Sequence, residues 1–458
     1  MNILILGAGQ VGTTAAYSLA REEANEVTIM DCDPEVLREL QDRLDVRTVV
    51  GHAAHPDALE RAGIADADMI IALTNSDEIN MIACEVAGHL FKTPTKIARI
   101  RSAEYMGHEE LYGPEHVSVD VRISPEELVT NHIGELIHFP GALQVLEFAN
   151  GKVRLVAAVA HEGGALVGHP LCELSKHIPS VECRVVVIYR DGQGIIPDGD
   201  TIVQEDDEVF FIAARKDIRA VLSEMRKLDD PIRRVVIAGG GNVGVRLAKA
   251  LESTNQVKVI EHDHDRARSV SEKLNKAIVL HGDAADEELL LEENIDSADV
   301  FVSVTNADEA NILSAMLAKR VGVRKVMALI NKPAYAELVE AGTIDIAISP
   351  SQITLGTLLA HVRRGDVVKV HALRRGAAEA IEAVAHGDED SSRVVGRSID
   401  QIRLPRGATI SAVVRGDTVL MAHHDTVIEA DDHVILFMAE RRQIDEVERL
   451  FEVGVSFV

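Results

Sequence analysis

The chain is written twice, and this constrains its fold more than any other feature. Gly7-Ala8-Gly9-Gln10-Val11-Gly12 returns as Gly239-Gly240-Gly241-Asn242-Val243-Gly244, and ADMIIALTNSDEIN from Ala67 returns as ADVFVSVTNADEAN from Ala298. Ser124-Pro125-Glu126-Glu127 returns as Ser349-Pro350-Ser351-Gln352, and DTIVQEDDEVFFIA from Asp200 as DTVIEADDHVILFM from Asp425. The order of landmarks is kept, and the offset runs from 232 residues (7 to 239) to 225 (200 to 425). A unit this long is a duplicated pair of domains, not one turn of a short-repeat solenoid. A chain of 458 residues also exceeds what one hydrophobic core organises.

Each unit divides in two. The first part alternates short aliphatic runs with helical patterns; in copy one the runs are 3–6, 27–30, 48–50, 69–73 and 96–100. Strands alternating with helices imply a parallel sheet covered on both faces. With aromatic residues at 3% and no Trp, the cores must be aliphatic, as buried parallel strands require. The second part, from about Ala142 and again from about Val367, has β-rich runs such as 184–189 and 209–212, broken by Asp191-Gly192 and Asp198-Gly199. The expected fold is α/β: a duplicated unit of a Rossmann-like doubly wound domain followed by a small α+β domain. The expected domains are 1–123, 124–228, 232–348 and 349–458.

A helix with a readable start joins the two parts. Ser124 suits the N-cap, Pro125 the first helical position, and Glu127 a capping box; Ser349, Pro350 and Gln352 repeat the device. Leu128, Val129, Ile133, Leu136 and Ile137 then follow at helical spacing. That stripe packs either on its own sheet or, as a crossover helix, against a neighbouring subunit.

A lone G-x-G-x-x-G is a weak signal, but here each copy follows an aliphatic strand and opens a helix, expected at 13–20 and 245–251. The first glycine permits the tight turn, the second lets backbone approach a pyrophosphate, and the third lets helix pack on strand. The helix N-terminus offers free N–H groups to the anion. Candidate ligand-binding residues are therefore Gly7, Ala8, Gly9, Gln10, Val11 and Gly12, with Gly239, Gly240, Gly241, Asn242, Val243 and Gly244 in the second copy. A carboxylate ends the second strand of each copy, Asp31 and Glu261. It suits the two hydroxyls of an adenosine ribose and repels a 2′-phosphate. The fourth strands lead to Thr74-Asn75 and Thr305-Asn306, where the carboxyl ends of strands face the ligand crevice. Asp77-Glu78 and Asp308-Glu309 read as first-turn helix acids. Arg99 and Arg101 close the fifth strand of copy one, whereas copy two reads KVMALI without arginine. A guanidinium there binds phosphate bidentately, so the two sites are expected to be unequal.

The formal net charge of −27 argues against nucleic acid as a partner and against adhesion to an anionic membrane. Membrane association is expected only through a protein partner. No run approaches the roughly 20 apolar residues of a membrane helix, and no basic stretch precedes the first strand as in a secretory signal. Cys32, Cys84, Cys172 and Cys183 form no CxxC pair and read as reduced thiols. His262-Asp263-His264 lacks further ligands at metal spacing, as does the loop bearing His52 and His55. The alternative reading is an NAD-dependent oxidoreductase, which needs a proton donor or acceptor at the nicotinamide. The small domains are poor in candidates: His169 has no histidine counterpart in copy two, nor His423 and His424 in copy one. A non-enzymatic role is the expectation.

The GAGQVG start, the TNSDEIN and TNADEAN segments and the full-length duplication resemble the peripheral regulatory subunits of bacterial Trk potassium uptake systems, built from tandem RCK/KTN-type domains. The resemblance implies a homotetrameric ring on the cytoplasmic face of the membrane. It implies gating of a membrane potassium transporter subunit of TrkH or TrkG type in response to NAD(H), ATP or ADP. The family's ligand contacts fall here on Gly7 through Val11, Asp31, Thr74, Asn75 and Arg99, and in the second copy on Gly239 through Val243, Glu261 and Thr305.

Overall fold

Aliphatic runs bounded by glycine turns become buried parallel strands in both copies. The computed structural model describes residues 1–22, 24–113, 115–227, 230–340, 344–363, 366–373, 378–439 and 443–452; the expected domain ends at 228 and 458 lie outside them. The first sheet holds β1 (Asn2–Leu6), β2 (Glu26–Asp31), β3 (Arg47–Val50), β4 (Met69–Ala72), β5 (Thr95–Arg99) and β6 (Val121–Ile123). Its order is β3-β2-β1-β4-β5-β6, with β1 pairing parallel to both β2 and β4. The direction of winding therefore reverses between β1 and β4, which opens a crevice at their carboxyl ends. β6 has three residues, too short to betray itself by pattern.

The first small domain holds β7 (Ala142–Phe148), β8 (Val153–Val159), β9 (Cys183–Arg190), β10 (Gln193–Ile195) and β11 (Glu208–Ala214), in the antiparallel order β10-β9-β11-β8-β7. The second doubly wound sheet comprises β12 (Arg234–Ala238), β13 (Gln256–Glu261), β14 (Ile278–His281), β15 (Val300–Ser303), β16 (Lys325–Leu329) and β17 (Ile346–Ile348). The second small domain comprises β18 (Val367–Leu373), β19 (Ala378–Ala385), β20 (Ala408–Arg415), β21 (Thr418–Met421) and β22 (Asp432–Met438). Both repeat the strand order of their first copies. An ion pair to a buried aspartate repeats too. The Arg190 guanidinium donates to both Asp207 carboxylate oxygens at 2.8 and 2.7 Å, and Arg415 does the same to Asp432 at 2.9 and 2.8 Å. Asp207 and Asp432 are buried, so these bidentate bonds supply the partners that burial of a charge demands.

The chain falls into two compact units: residues 1–130 with 329–342 and 347–355, and residues 131–328 with 343–346 and 356–458. The first unit is built on the sheet β1–β6, whose core includes Leu4, Leu6, Ile70, Ala72 and Ala98. In the second unit the two antiparallel sheets share one core, in which Phe148, Leu155, Phe210 and Ile212 meet Leu373, Ile435 and Phe437. Polar contacts tie the same sheets together: Gln144 donates to the Ala372 carbonyl at 3.2 Å, and Ala149 N–H to Glu382 Oε2 at 2.8 Å. The linking helix runs Pro125–His138, with Glu127 N–H donating to Ser124 Oγ at 3.4 Å. Its stripe is covered within the chain itself: Val129, Ile133, Leu136 and Ile137 are buried and Leu128 half-buried.

His371 sits at the junction of the two antiparallel sheets, 3.2 Å from the Glu147 carbonyl through Nε2 and edge-on to the Phe148 ring. Burial foremost, with Lys369 and His132 nearby, lowers its pKa to about 4. An imidazole depressed from 6.5 contributes stability that is complete above pH 6.5 and lost as pH falls toward 4. The melting temperature is therefore expected to fall between pH 7 and pH 5. The His371→Gln variant should show a shallower fall in the same scan.

Candidate functional site

The glycine turns occupy the winding-reversal crevice of each parallel sheet. Gly7 has φ +99° and Gly239 +110°, in the left-handed region that favours glycine. A Cβ on Gly7 would lie 3.0 Å from the Leu73 carbonyl oxygen and 3.1 Å from Thr74 Cα; one on Gly239 would lie 3.1 Å from Thr305 Cγ2. The turn and the Thr after the fourth strand therefore meet across the crevice in both copies. The following helices are Gln10–Leu19 and Asn242–Leu251, starting three residues earlier than expected. Two glycines suffice for the turn, and the third is already inside the helix. A Cβ on Gly12 would sit 1.9 Å from the Gly7 carbonyl oxygen, and Gly244 stands in the same relation to Gly239. These helices begin at the glycine turns, and the first-turn N–H groups of a helix lack intrahelical acceptors, an arrangement suited to an anion.

The carboxylates have a second task that their spacing does not reveal. Ala8 N–H donates to Asp31 Oδ2 at 2.6 Å, and Asp33 N–H to Oδ1 at 3.0 Å. In copy two Gly240 N–H donates to Glu261 Oε2 at 2.7 Å, and Asp263 N–H to Oε1 at 2.9 Å. Each carboxylate thus fixes the turn from behind. A carboxylate oxygen has two acceptor directions, so capacity remains for ribose hydroxyls. The copies differ in how much remains. Asp31 is half-buried, whereas Glu261 is buried and His262 Nδ1 lies 3.0 Å from its Oε1.

One further difference between the copies compensates for the longer acid. A Cβ on Gly240 would lie 3.0 Å from Glu261 Oε2 and 3.1 Å from Val270 Cγ2, while copy one carries Ala8 opposite the shorter Asp31. Gly240→Ala is therefore expected to cost about 1–2 kcal/mol. Adding Glu261→Asp should restore most of it; additive losses in denaturant titrations of the single and double variants would contradict this pairing.

Thr74 is gripped by a residue that sequence reading missed. Thr74 N–H and Oγ1–H donate to Asn80 Oδ1 at 2.9 and 2.6 Å, and Asn80 Nδ2 donates to the Thr74 and Arg99 carbonyls at 3.3 and 2.9 Å. Asn311 makes the equivalent bonds to Thr305 at 2.8 and 2.7 Å. Both amides are fully buried. Their signal was the last letter shared by TNSDEIN and TNADEAN. Asn75 stays exposed at the rim, its carbonyl accepting from the Arg101 guanidinium. Asp77 lies in the first turn of helix Asp77–Val86, and its Oδ2 also accepts from Arg101 and Ser102 N–H at 2.9 and 2.8 Å.

Arg99 is not an open guanidinium. It pairs with Glu126 of the linking helix, Nη2 to Oε1 at 3.3 Å, with side chains 20% and 13% exposed. Arg99 Nε and Glu126 Oε2 are buried without a hydrogen-bond partner among the described residues. Leu329 ends β16 where Arg99 ends β5, so copy two has no such pair. Among the described residues no group of three His, Cys, Asp or Glu side chains is placed to hold a metal, and no helix is long and apolar enough to cross a membrane. All four cysteines are free thiols.

Two doubly wound sheets, each with a glycine turn braced by a carboxylate and each followed by an antiparallel domain, define a tandem RCK-type fold. The structure aligns with the GsuK RCK domain at a TM-score of 0.63 and 17% identity, covering 98% of this chain and 94% of that one. It aligns with the GsuK channel bound to NAD at 0.61 and 17%, covering 98% and 79%. TrkA-N domain models match residues 3–125 and 235–350, and TrkA-C domain models match 155–226 and 388–452. The chain is 60% identical to the Trk system potassium uptake protein TrkA of Halomonas elongata and 56% identical to that of Vibrio alginolyticus, each over 100% of both chains. It belongs to the TrkA family. The hydride-transfer alternative finds no support among these relatives.

Proposed function

We propose that this chain is the nucleotide-sensing regulatory subunit of a Trk-type potassium uptake system, acting at the cytoplasmic face of the membrane through a transporter partner and not as an enzyme. The observation that carries the reading is the crevice of copy one. There a left-handed glycine turn, a helix N-terminus, a half-buried Asp31 and Thr74 converge. That set suits the pyrophosphate and ribose of NAD(H), ATP or ADP. Full-length similarity to proteins named for potassium uptake supports the physiological assignment. The proposed partner is a TrkH- or TrkG-type subunit, and the proposed assembly a homotetrameric ring.

Regulation follows from the pairing of Arg99 with Glu126. A ligand shifts a conformational equilibrium only through unequal affinity for its states. A terminal phosphate reaching Arg99 competes with Glu126, and so bears on the first turn of the linking helix. The adenosine end contributes alike in both states. Glu126→Gln is expected to tighten ATP several-fold while leaving ADP nearly unchanged, and Arg99→Ala to erase the difference between them. Calorimetric titration of both nucleotides checks this; an ATP to ADP ratio indifferent to both substitutions would sink it.

A further inference from the structure

The first small domain carries a cationic cavity that the nucleotide reading does not use. It has a volume of about 420 Å³ and is lined by His138, Phe139, Arg215, Lys216 and Arg219. His138 ends the linking helix and Phe139 follows it; the three cations stand on the turn after β11 and the start of helix Ile218–Met225. Arg219 Nη2 donates to the His138 carbonyl at 3.4 Å, which draws the two walls together. Among the described residues no carboxylate lies within ion-pair distance of Arg215, Lys216 or Arg219. On a chain with a net charge of −27, three converging cations with no carboxylate in direct contact stand apart, although the charge of Arg215 reaches the Glu135 carboxyl. Beneath them Phe139 is buried, with the Arg154 guanidinium 4.9 Å from its ring centre. Burial, followed by the charges of Arg219, Arg154 and Arg215, lowers the His138 pKa, so the imidazole itself registers the positive field.

The duplication supplies a control. In sequence copy two keeps Arg441-Arg442 where copy one has Arg215-Lys216, but changes the third cation: Asp445 follows Ile444 where Arg219 follows Ile218. Copy two also places Arg363 where copy one has His138, and buries it against Glu379 and Glu448. In copy one the buried cation is instead Arg154 on β8, paired with Glu135 and Glu147. The end of the linking helix is thereby left free to line an open, positively charged cavity.

We propose that this cavity binds a phosphate-bearing anion of at least two negative charges, held by Arg215, Lys216 and Arg219 over Phe139, at a site separate from the glycine crevices. Two sources share this chemistry, a soluble phosphorylated metabolite and a phospholipid headgroup. Inorganic pyrophosphate titrated calorimetrically into the full chain, with the crevices presaturated by NADH, is expected to bind. Arg219→Asp, which installs the residue of copy two, should weaken binding by at least about tenfold while leaving NADH-induced thermal stabilisation intact. A milder Lys216→Ser variant should lose affinity to a lesser degree. Co-sedimentation with phosphatidylglycerol vesicles separates the sources: retention lost in Arg219→Asp assigns a headgroup, and solution binding without retention assigns a free anion. Pyrophosphate binding that NADH abolishes and Arg219→Asp spares would place the anion in the crevices and overturn the proposal. So would a wild-type chain that binds neither pyrophosphate nor vesicles.

Discussion

Gly12→Ala is expected to unfold the first crevice before the rest of the molecule melts. A Cβ at that position would lie 1.9 Å from the Gly7 carbonyl oxygen, and backbone cannot swing aside as a long side chain can. The helix Gln10–Leu19 would have to lift from β1, opening a core in which Ile5, Ala15, Ala16 and Leu19 are fully buried. Overpacking of this kind costs about 3 kcal/mol, roughly 10 °C in the melting of a unit this size. Calorimetry of the variant should show an early transition assignable to residues 1–130. Because Gly7 also meets Thr74, the same displacement should remove nucleotide binding at this site. A wild-type melting curve would mean that the third glycine is not a packing constraint.

The second large effect concerns Asp31. With a nucleotide at a hundredfold excess over its dissociation constant, binding stabilises the folded chain by about 2.7 kcal/mol. Asp31→Ala removes the proposed ribose acceptor and releases the Ala8 and Asp33 N–H groups that it holds. The nucleotide-induced shift in copy one should be lost nearly entirely. Asp31→Asn keeps an acceptor for one of those N–H groups and should retain more of the intrinsic stability than of the ligand response. Equal losses in both variants would mean that Asp31 serves the turn alone. The matching change at Glu261 is expected to alter ligand response less, because that carboxylate is already buried and approached by His262.

What the sequence made legible was periodic or repeated. Aliphatic runs at strand spacing placed ten of the twelve parallel strands' neighbourhoods by analogy between copies, and the glycine spacing placed both turns. The Ser124-Pro125 signal placed the start of the linking helix, because a cap and a ring-locked φ are local facts. What stayed hidden was non-local. Asn80 reads as an ordinary polar helix residue until the fold buries it against Thr74 and Arg99. Arg99 and Glu126 are separated by 27 residues, and only the closeness of β5 to the linking helix makes them partners. The backbone-bracing role of Asp31 requires the turn to fold back onto β2. The three-residue β6 was invisible, since alternation over so short a run carries no pattern.

The asymmetry between the copies also has a physical basis in the structure. Copy one has Arg99 with its partner Glu126, a half-buried Asp31 and the cationic cavity; copy two has Leu329, a buried Glu261 and Asp445. Duplication relieves one copy of function while both keep the fold: the strand orders remain identical while crevice and cavity differ. The prediction that follows is unequal occupancy, with copy one the stronger nucleotide site.

The most direct test of reversible nucleotide sensing is calorimetric titration of the purified full chain with ATP, ADP and NADH, the ligand being recovered afterwards and identified by chromatography. Saturable binding, its stronger phase abolished by Asp31→Ala and the nucleotide returned chemically unchanged, is the expected result. Absence of heat and of thermal stabilisation with all three ligands, or steady conversion of any of them to product, would contradict it.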